Sequence, residues 1–271
     1  MSNNTLPKIE KLLQGVQASK ASRFYKEHWA RNYEFNKLPL VTIENLIKTP
    51  LQERTYKKER GLTKIVKRTG EPFLIHRALG DIKAEDYGVI GKRPLIIFSD
   101  SHDALEKSLW CYENNILPLI GENLNLVVTA YTARRYEIDS ILGEGEIVMR
   151  FLPILEKEYD LKNIKNITLI EGPLDDNQAK LICKKIPNTN LTLGFSETGA
   201  FAQLCGSCSD SKKLLFSSDR NSFVEIEEGV LVVTKTLDLT TPIVRYDTGI
   251  RVIQISSKDI SCDKGAHFSL L

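Results

Sequence analysis

The chain contains no apolar run approaching the ~18–20 residues that a bilayer-crossing helix needs, so a membrane-spanning role is not expected. It also lacks a charge imbalance: the formal net charge is +2, which gives no bulk pull toward nucleic acid or membrane surfaces. A secretory leader is missing from the start, where polar Met1-Ser2-Asn3-Asn4 leads into a charged helical pattern. Cysteine is sparse and odd in number, at five, which suits a reducing cytoplasm better than a disulfide scaffold. Internal repeats and low-complexity linkers are absent as well. So is a serine-hydrolase elbow: in Gly194-Phe195-Ser196-Glu197-Thr198 the last position is Thr, and no histidine follows until His267. These absences leave a cytoplasmic globular protein.

What the 271 residues do contain, at 42% hydrophobic, is enough apolar surface for a substantial core. Residues 9–36 read as helical, with an apolar stripe of Ile9, Leu12, Leu13 and Val16 and an aromatic one of Phe24, Tyr25, Trp29 and Tyr33. A short helix should begin near Thr42 and stop at Pro50. Strands are then expected at 94–98, 124–130, 167–170 and 190–195, with helices at 104–114, 133–142, 147–159 and 177–185. That alternation predicts an α/β fold, a mostly parallel sheet flanked by helices. Beyond Gly206 only strands are expected, at 214–216, 223–226, 230–236, 243–245 and 251–255, giving a C-terminal antiparallel β-rich subdomain. The expected division is a helical segment at 1–60, an α/β core at 61–205 and the β-rich part at 206–271.

Two segments stand out chemically. Leu193-Gly194-Phe195-Ser196-Glu197-Thr198-Gly199 ends a strand with a hydroxyl and a carboxylate, groups suited to phosphate and to a hard cation. Farther on, Pro242-Ile243-Val244-Arg245-Tyr246-Asp247-Thr248-Gly249 closes a strand on an Arg-Tyr pair. Together they resemble signature motifs of the adenylate-forming superfamily, most closely its phenylacetate–CoA ligase branch. The resemblance covers nearly all of this chain but only the large domain of such an enzyme.

It implies that Glu197 ligates Mg²⁺, that Ser196 meets phosphate, and that Gly194 and Phe195 border adenine. Glu171, Gly172 and Pro173 resemble the adenine loop. Lys67, Arg68, Thr69 and Gly70, before Glu71-Pro72, stand where the phosphate loop belongs. Arg245 would neutralise charge on the reacting phosphate, with Tyr246 and Asp247 beside the nucleotide. The implied cofactors are ATP, Mg²⁺ and CoA.

The same resemblance exposes departures. The phosphate loop has Ile65-Val66-Lys67-Arg68 in place of a Ser/Thr/Gly-rich stretch, and a β-branched pair cannot coil as glycine does. Ile250 replaces the Asp that accepts bonds from ribose. No lid domain with its catalytic lysine is expected after Leu271.

Other groupings are weaker. Cys205 and Cys208 with Cys262 and His267 have an acceptable zinc spacing, against scattered thiols as the plainer reading. The basic run Arg54, Lys57, Lys58, Arg60 and Lys64 reads as a solvated face. An acid pocket is expected between 126–131 and 195–201, apolar and aromatic. The expected function is ATP-dependent activation of an aryl or acyl carboxylic acid, passed to CoA or a carrier thiol. The rivals are a catalytically lapsed large domain that binds a ligand or partner, and acyl transfer of the acyl-protein synthetase kind. Expected partners are the carboxylic acid, the nucleotide, and a carrier protein or separate lid domain, with a homodimer left open.

Overall fold

The computed structural model describes residues 5–18, 23–29, 34–55, 59–68, 71–87, 92–171, 175–205, 214–237, 239–255 and 267–271. Helices α1 (Thr5–Ala18), α2 (Arg23–His28), α3 (Ile43–Lys48) and α4 (Leu51–Arg54) precede a hairpin of β1 (Gly61–Val66) and β2 (Phe73–Ala78). After α5 (Leu79–Ala84) the chain alternates. It runs through β3 (Pro94–Ile97), α6 (Ser101–Glu113), β4 (Leu119–Ile120), α7 (Leu126–Tyr136) and β5 (Ser140–Glu144). It continues through α8 (Gly145–Glu158), β6 (Asn166–Ile170), α9 (Asp176–Lys185) and β7 (Asn190–Phe195). The strands β8 (Gly199–Leu204), β9 (Phe216–Ser218), β10 (Ser222–Glu227), β11 (Val230–Lys235), β12 (Tyr246–Ile255) and β13 (His267–Leu270) complete it.

Eleven strands form one sheet in the order β10-β11-β12-β13-β9-β8-β7-β6-β5-β3-β4. From β4 to β7 the pairing is parallel. From β7 through β8 to β10 it is antiparallel. The inner parallel strands β3, β5, β6 and β7 are buried along nearly their whole length because helices cover both of their faces, whereas β4, at the sheet edge, is partly exposed. Alternate residues show the two faces: Leu95, Ile97 and Ile141 pack with α7, α8 and α9 through Ala133, Phe151 and Ile182. Ile96 and Leu142 pack instead with Trp110 and Cys111 of α6. The expected α/β class with its antiparallel C-terminal part is therefore the observed one. The largest apolar cluster runs from Leu95 to Phe268 and Leu270, so both halves of the sheet share it.

Three expected elements are corrected. Residues 124–130 are not a strand; they open α7, because Asn125 caps the amide of Val128 at 3.2 Å and Thr129, Ala130 and Ala133 bury at helical spacing. The β-branched Val127-Val128-Thr129 run carries strand propensity that this cap and face override. The helix expected at 133–142 ends at Tyr136, with Glu137 left-handed (φ 56°), and Ser140–Glu144 is β5. Residues 243–245 are not a strand either, since Arg245 has φ 47° and β12 starts at Tyr246.

At the N-terminus the expected stripe of Ile9, Leu12, Leu13 and Val16 is buried, as are Phe24, Tyr25 and Trp29; Tyr33 lies outside the described residues. This cluster packs on Val66, Phe73 and Ile75 of the hairpin and on Ile243, Val244 and Tyr246. It thereby seats the hairpin against the start of β12. Thr42 caps α3 as expected, with its hydroxyl accepting from Asn45 at 3.4 Å.

Gly199 opens β8 with φ 68°, and a Cβ there would stand 2.6 Å from the Glu85 carboxylate. That carboxylate is buried on Lys235 at 2.5 Å and near Arg77 at 3.6 Å. Gly199→Ala is expected to destabilise the fold by at least about 2 kcal/mol, from positive-φ strain plus a displaced ion pair. Urea unfolding measures it, and a loss under about 0.5 kcal/mol would contradict this packing.

Candidate functional site

The turn Ser196-Glu197-Thr198 links β7 to β8, where parallel pairing gives way to antiparallel. Open α/β sheets bind ligands at the carboxyl ends of strands near such a switch. A cavity of about 700 Å³ opens there. The ends of β3, β5, β6 and β7 supply Phe98, Ser99, Asp100, Glu144, Glu171, Phe195 and Ser196. The hairpin adds Ile65, Val66, Lys67 and Arg68; β12 adds Tyr246, Asp247, Thr248, Gly249 and Ile250; Thr42, Ile43 and Glu44 close one side. Asp103 also reaches it from α6.

Glu197 is fully buried. Its Oε1 accepts from Arg68 Nη1 at 2.9 Å and from the Tyr246 hydroxyl at 2.7 Å. Its Oε2 has no partner among the described residues. Arg68 also donates to the Thr248 carbonyl at 2.6 Å and lies over the Phe195 ring at 3.7 Å from the centroid. Burial and the neighbouring Glu197 push the Tyr246 phenol well above its ordinary value. It thus acts as a donor throughout the physiological range.

Ser196 is held as firmly. Its hydroxyl receives Lys64 Nζ at 2.7 Å and lies 2.8 Å from both Asp103 carboxylate oxygens, and its amide donates to Glu171 Oε1 at 2.6 Å. Lys64, Asp103, Glu106 and Lys107 form a buried ionic cluster, with Lys64–Asp103 at 2.8 Å and Lys107–Glu106 at 2.9 Å. Burial favours protonation of Asp103, but Lys64 and Lys107 outweigh it and hold the carboxyl below its ordinary value. Glu171 goes the other way: burial, then the charge of Glu197, push its carboxyl up to about 8. Its backbone is left-handed at φ 65°, a conformation glycine adopts more cheaply.

The expected site residues are partly gathered. Lys67, Arg68, Glu171, Phe195, Ser196, Tyr246 and Asp247 line the cavity, and Glu197 lies behind it in contact with Arg68 and Tyr246. Gly194 sits below, on β7, opposite Ile170 and Ala200. Thr69, Gly70, Gly172 and Pro173 lie outside the described residues.

Arg245 needs correction. Its guanidinium turns away from the cavity to Glu225 at 3.3 Å, to Glu227 and to the Leu38 carbonyl, so it braces the N-terminal segment against β10. The expected acid pocket is corrected too: helix α7 places Val127, Val128 and Tyr131 on the exposed surface. The basic run is not wholly a solvated face. Arg54 and Lys64 are buried, Arg54 bonding the carbonyls of Thr49 at 3.0 Å and Leu74 at 2.7 Å. Lys57 and Lys58 lie outside the described residues. Of the zinc quartet, Cys205 is half-buried at the end of β8 and His267 is buried at the head of β13; Cys208 and Cys262 lie outside. Among the described residues no three His, Cys, Asp or Glu side chains converge as metal ligands.

Sequence reasoning missed Lys64 and Asp103. For Lys64 a signal existed: it shares the inward phase of β1 with Val66, an odd place for a lysine without a partner. Asp103 and Lys107 are an i, i+4 pair in α6, a pattern that looks equally ordinary on a surface.

The site thus belongs to an α/β fold whose cavity opens at a parallel-to-antiparallel switch, under a loop carrying a carboxylate. No protein-family model matches the chain, and no curated protein matches its sequence. Solved structures do match. One is 2-hydroxyisobutyryl-CoA ligase in an open conformation with 2-HIB-AMP and CoA, at TM-score 0.66 and 10% identity, covering 98% of this chain and 72% of that one. The same enzyme in its postadenylation state with R3-HIB-AMP gives 0.68 and 10%, over 97% and 65%. O-succinylbenzoate coenzyme A synthetase from Bacillus subtilis with AMP gives 0.53 and 13%, over 76% and 48%. At such identities the likeness is one of fold, and the fold is that of the adenylate-forming ligases. No helix among the described residues is long and apolar enough to cross a membrane.

Glu171 gives a pH test. Its carboxyl stays neutral in the folded protein up to about 8 but ionises near its ordinary 4.5 when unfolded. The unfolded state therefore binds fewer protons between those values, and stability falls as pH rises through that window. Asp219, raised by burial to about 6, acts in the same sense below it. Glu171→Gln should flatten the fall of the melting temperature from about pH 6 to 8, where about 1 kcal/mol corresponds to some 2–4 °C. A variant keeping the parent's slope would show that Glu171 is not held neutral.

Proposed function

We propose that this chain binds an adenine nucleotide in the 700 Å³ cavity and activates a carboxylic acid as its acyl-adenylate, with CoA or a carrier thiol as the acceptor. One observation carries the reading: segments far apart in sequence, ending in Arg68, Glu171, Ser196 and Tyr246, converge on one cavity at the strand ends of an adenylate-forming fold. The solved relatives hold AMP or acyl-AMP, and in one case CoA, in that fold. The finer assignment to a phenylacetate–CoA ligase-like branch, with an aryl or acyl acid, is our reading of the motifs. A lid domain from another polypeptide belongs to the same proposal.

The chemistry required is attack of a carboxylate oxygen on the α-phosphorus of ATP, with pyrophosphate leaving. Lys67 and Arg68 are the cationic side chains lining the cavity, and they are the groups that would stabilise charge there. The Tyr246 hydroxyl and the Ser196 amide, bonded to Glu197 and Glu171, would have to exchange those partners to reach a phosphate. Magnesium does not fit at Glu197 as the residues stand, because Arg68 and Tyr246 already occupy Oε1 in a buried setting. Zinc at Cys205, Cys208, Cys262 and His267 is a separate proposal, supported by His267, buried with both ring nitrogens unpartnered among the described residues. Elemental analysis decides it, and zinc-free native protein ends it.

A second reading, a lapsed large domain that binds without turnover, draws on specific features. Ser196 is tied to Lys64 and Asp103, Arg68 is fully engaged, and Ile250 lines the cavity where a ribose acceptor is wanted. ATP–pyrophosphate exchange with a panel of aryl and short acyl acids separates the two. The adenylation reading expects exchange that falls at least about tenfold in Arg68→Met, a loss of ~1.4 kcal/mol in transition-state binding. No exchange with any acid, and no nucleotide binding, would leave the lapsed reading.

A further inference from the structure

Two cations of one strand and its extension reach two adjacent residues of the β7–β8 turn. Lys64 meets the Ser196 hydroxyl at 2.7 Å, and Arg68 meets the Glu197 carboxylate at 2.9 Å. A carboxylate with no solvent exposure needs a counter-charge, and Arg68 is the cation the structure gives to Glu197. The guanidinium is fixed on three further sides, by the Phe195 ring at 3.7 Å, the Thr248 carbonyl at 2.6 Å and the Tyr246 hydroxyl at 3.3 Å. Arginine does not lose its proton in proteins, so this neutralisation persists at every working pH. A divalent ion on the same carboxylate would have to bring its own oxygen shell into a space already filled and face a fixed positive charge at contact distance.

We propose that Arg68 is the resident counter-ion of Glu197, standing in the place of a divalent cation and making this carboxylate a metal-free part of the cavity. Arg68 is then a specificity-determining residue: it decides that whatever the cavity binds is held without metal at Glu197. Removing the guanidinium uncovers a buried carboxylate whose second oxygen has no partner among the described residues, beside Glu171 and the cavity. When ionised, such a carboxylate regains a counter-charge by taking up a cation in competition with a proton. The inference does not depend on adenylation: a chain without exchange activity would leave it intact.

The test uses Mn²⁺ alone as the probe, with the free-ion electron paramagnetic resonance signal as the readout on the 271-residue chain. The wild type should leave that signal unchanged at the Glu197 site. Arg68→Met should bind Mn²⁺ at least about tenfold more tightly than wild type, and Arg68→Met combined with Glu197→Gln should lose the gain. Arg68→Gln, which keeps hydrogen-bonding capacity without charge, takes the place of Arg68→Met if the latter fails to give a native circular dichroism spectrum. Mn²⁺ uptake by wild type that disappears in Glu197→Gln would overturn the proposal. So would a folded charge-removed variant that gains no Mn²⁺.

Discussion

The site is organised by one electrostatic constraint, a carboxylate buried at the point where the sheet changes direction. Glu197 sits in the turn that converts parallel pairing at β7 into antiparallel pairing at β8, so its position is fixed from both sides. An unpaired charge there would cost about 3–5 kcal/mol, and the fold answers it with Arg68 and the Tyr246 hydroxyl. Those two partners come from a separate hairpin and from the far half of the sheet. Satisfying one carboxylate therefore draws three distant stretches together, and the cavity is the space they leave. Arg77 repeats the theme in the backbone, donating to the Glu197 carbonyl at 3.2 Å.

The charge around the cavity is mixed and mostly acidic. Glu44, Asp100, Asp103, Glu144, Glu171 and Asp247 face Lys67 and Arg68 around the same cavity. Several of these acids are already occupied: Asp103 by Lys64, Glu144 by the Ser99 amide at 3.1 Å, Asp247 by the Gly249 amide at 2.8 Å. Burial and the charge of Glu197 hold the Glu171 carboxyl toward its neutral form, which weakens one more negative charge on the cavity wall. The field is thus milder than the residue count implies. With Arg68 paired to Glu197, Lys67 is the lining cation among the described residues left without a carboxylate at contact distance.

Much of the fold was legible because its strands obey simple rules. The buried parallel strand 94–97 is a short apolar run, 166–170 is interrupted only by the buried Asn166 and Thr168, and the helices between them keep their period. The stretch 124–142 was misread because Val127 and Val128 look like strand residues, yet they lie on the exposed face of α7, where propensity matters less than the Asn125 cap. At the site, the motifs pointed to the β7–β8 turn and its carboxylate, and the cavity opens beside both. What they could not convey is that Arg245, adjacent to Tyr246, points the other way. Its φ of 47° reverses the chain just before β12, and that reversal depends on tertiary contacts with Leu38, Glu225 and Glu227.

The difference between Arg245 and Arg68 shows why site chemistry follows from geometry and only loosely from motif order. Both are arginines within reach of Tyr246 in sequence or space, and both meet carboxylates. Arg245 is spent on joining the N-terminal segment to β10, a structural tie among Glu225, Glu227 and the Leu38 carbonyl. Arg68 is spent on Glu197 and lies on the cavity wall, with its flat face on Phe195. A guanidinium stacked on an aromatic ring and bonded at its edge is preorganised, so little entropy is lost in holding it there. That preorganisation is also what makes it costly to displace. Any ligand that needs either Glu197 or the open face of Phe195 must first compete with Arg68, which makes this one side chain the gatekeeper of the cavity's chemistry.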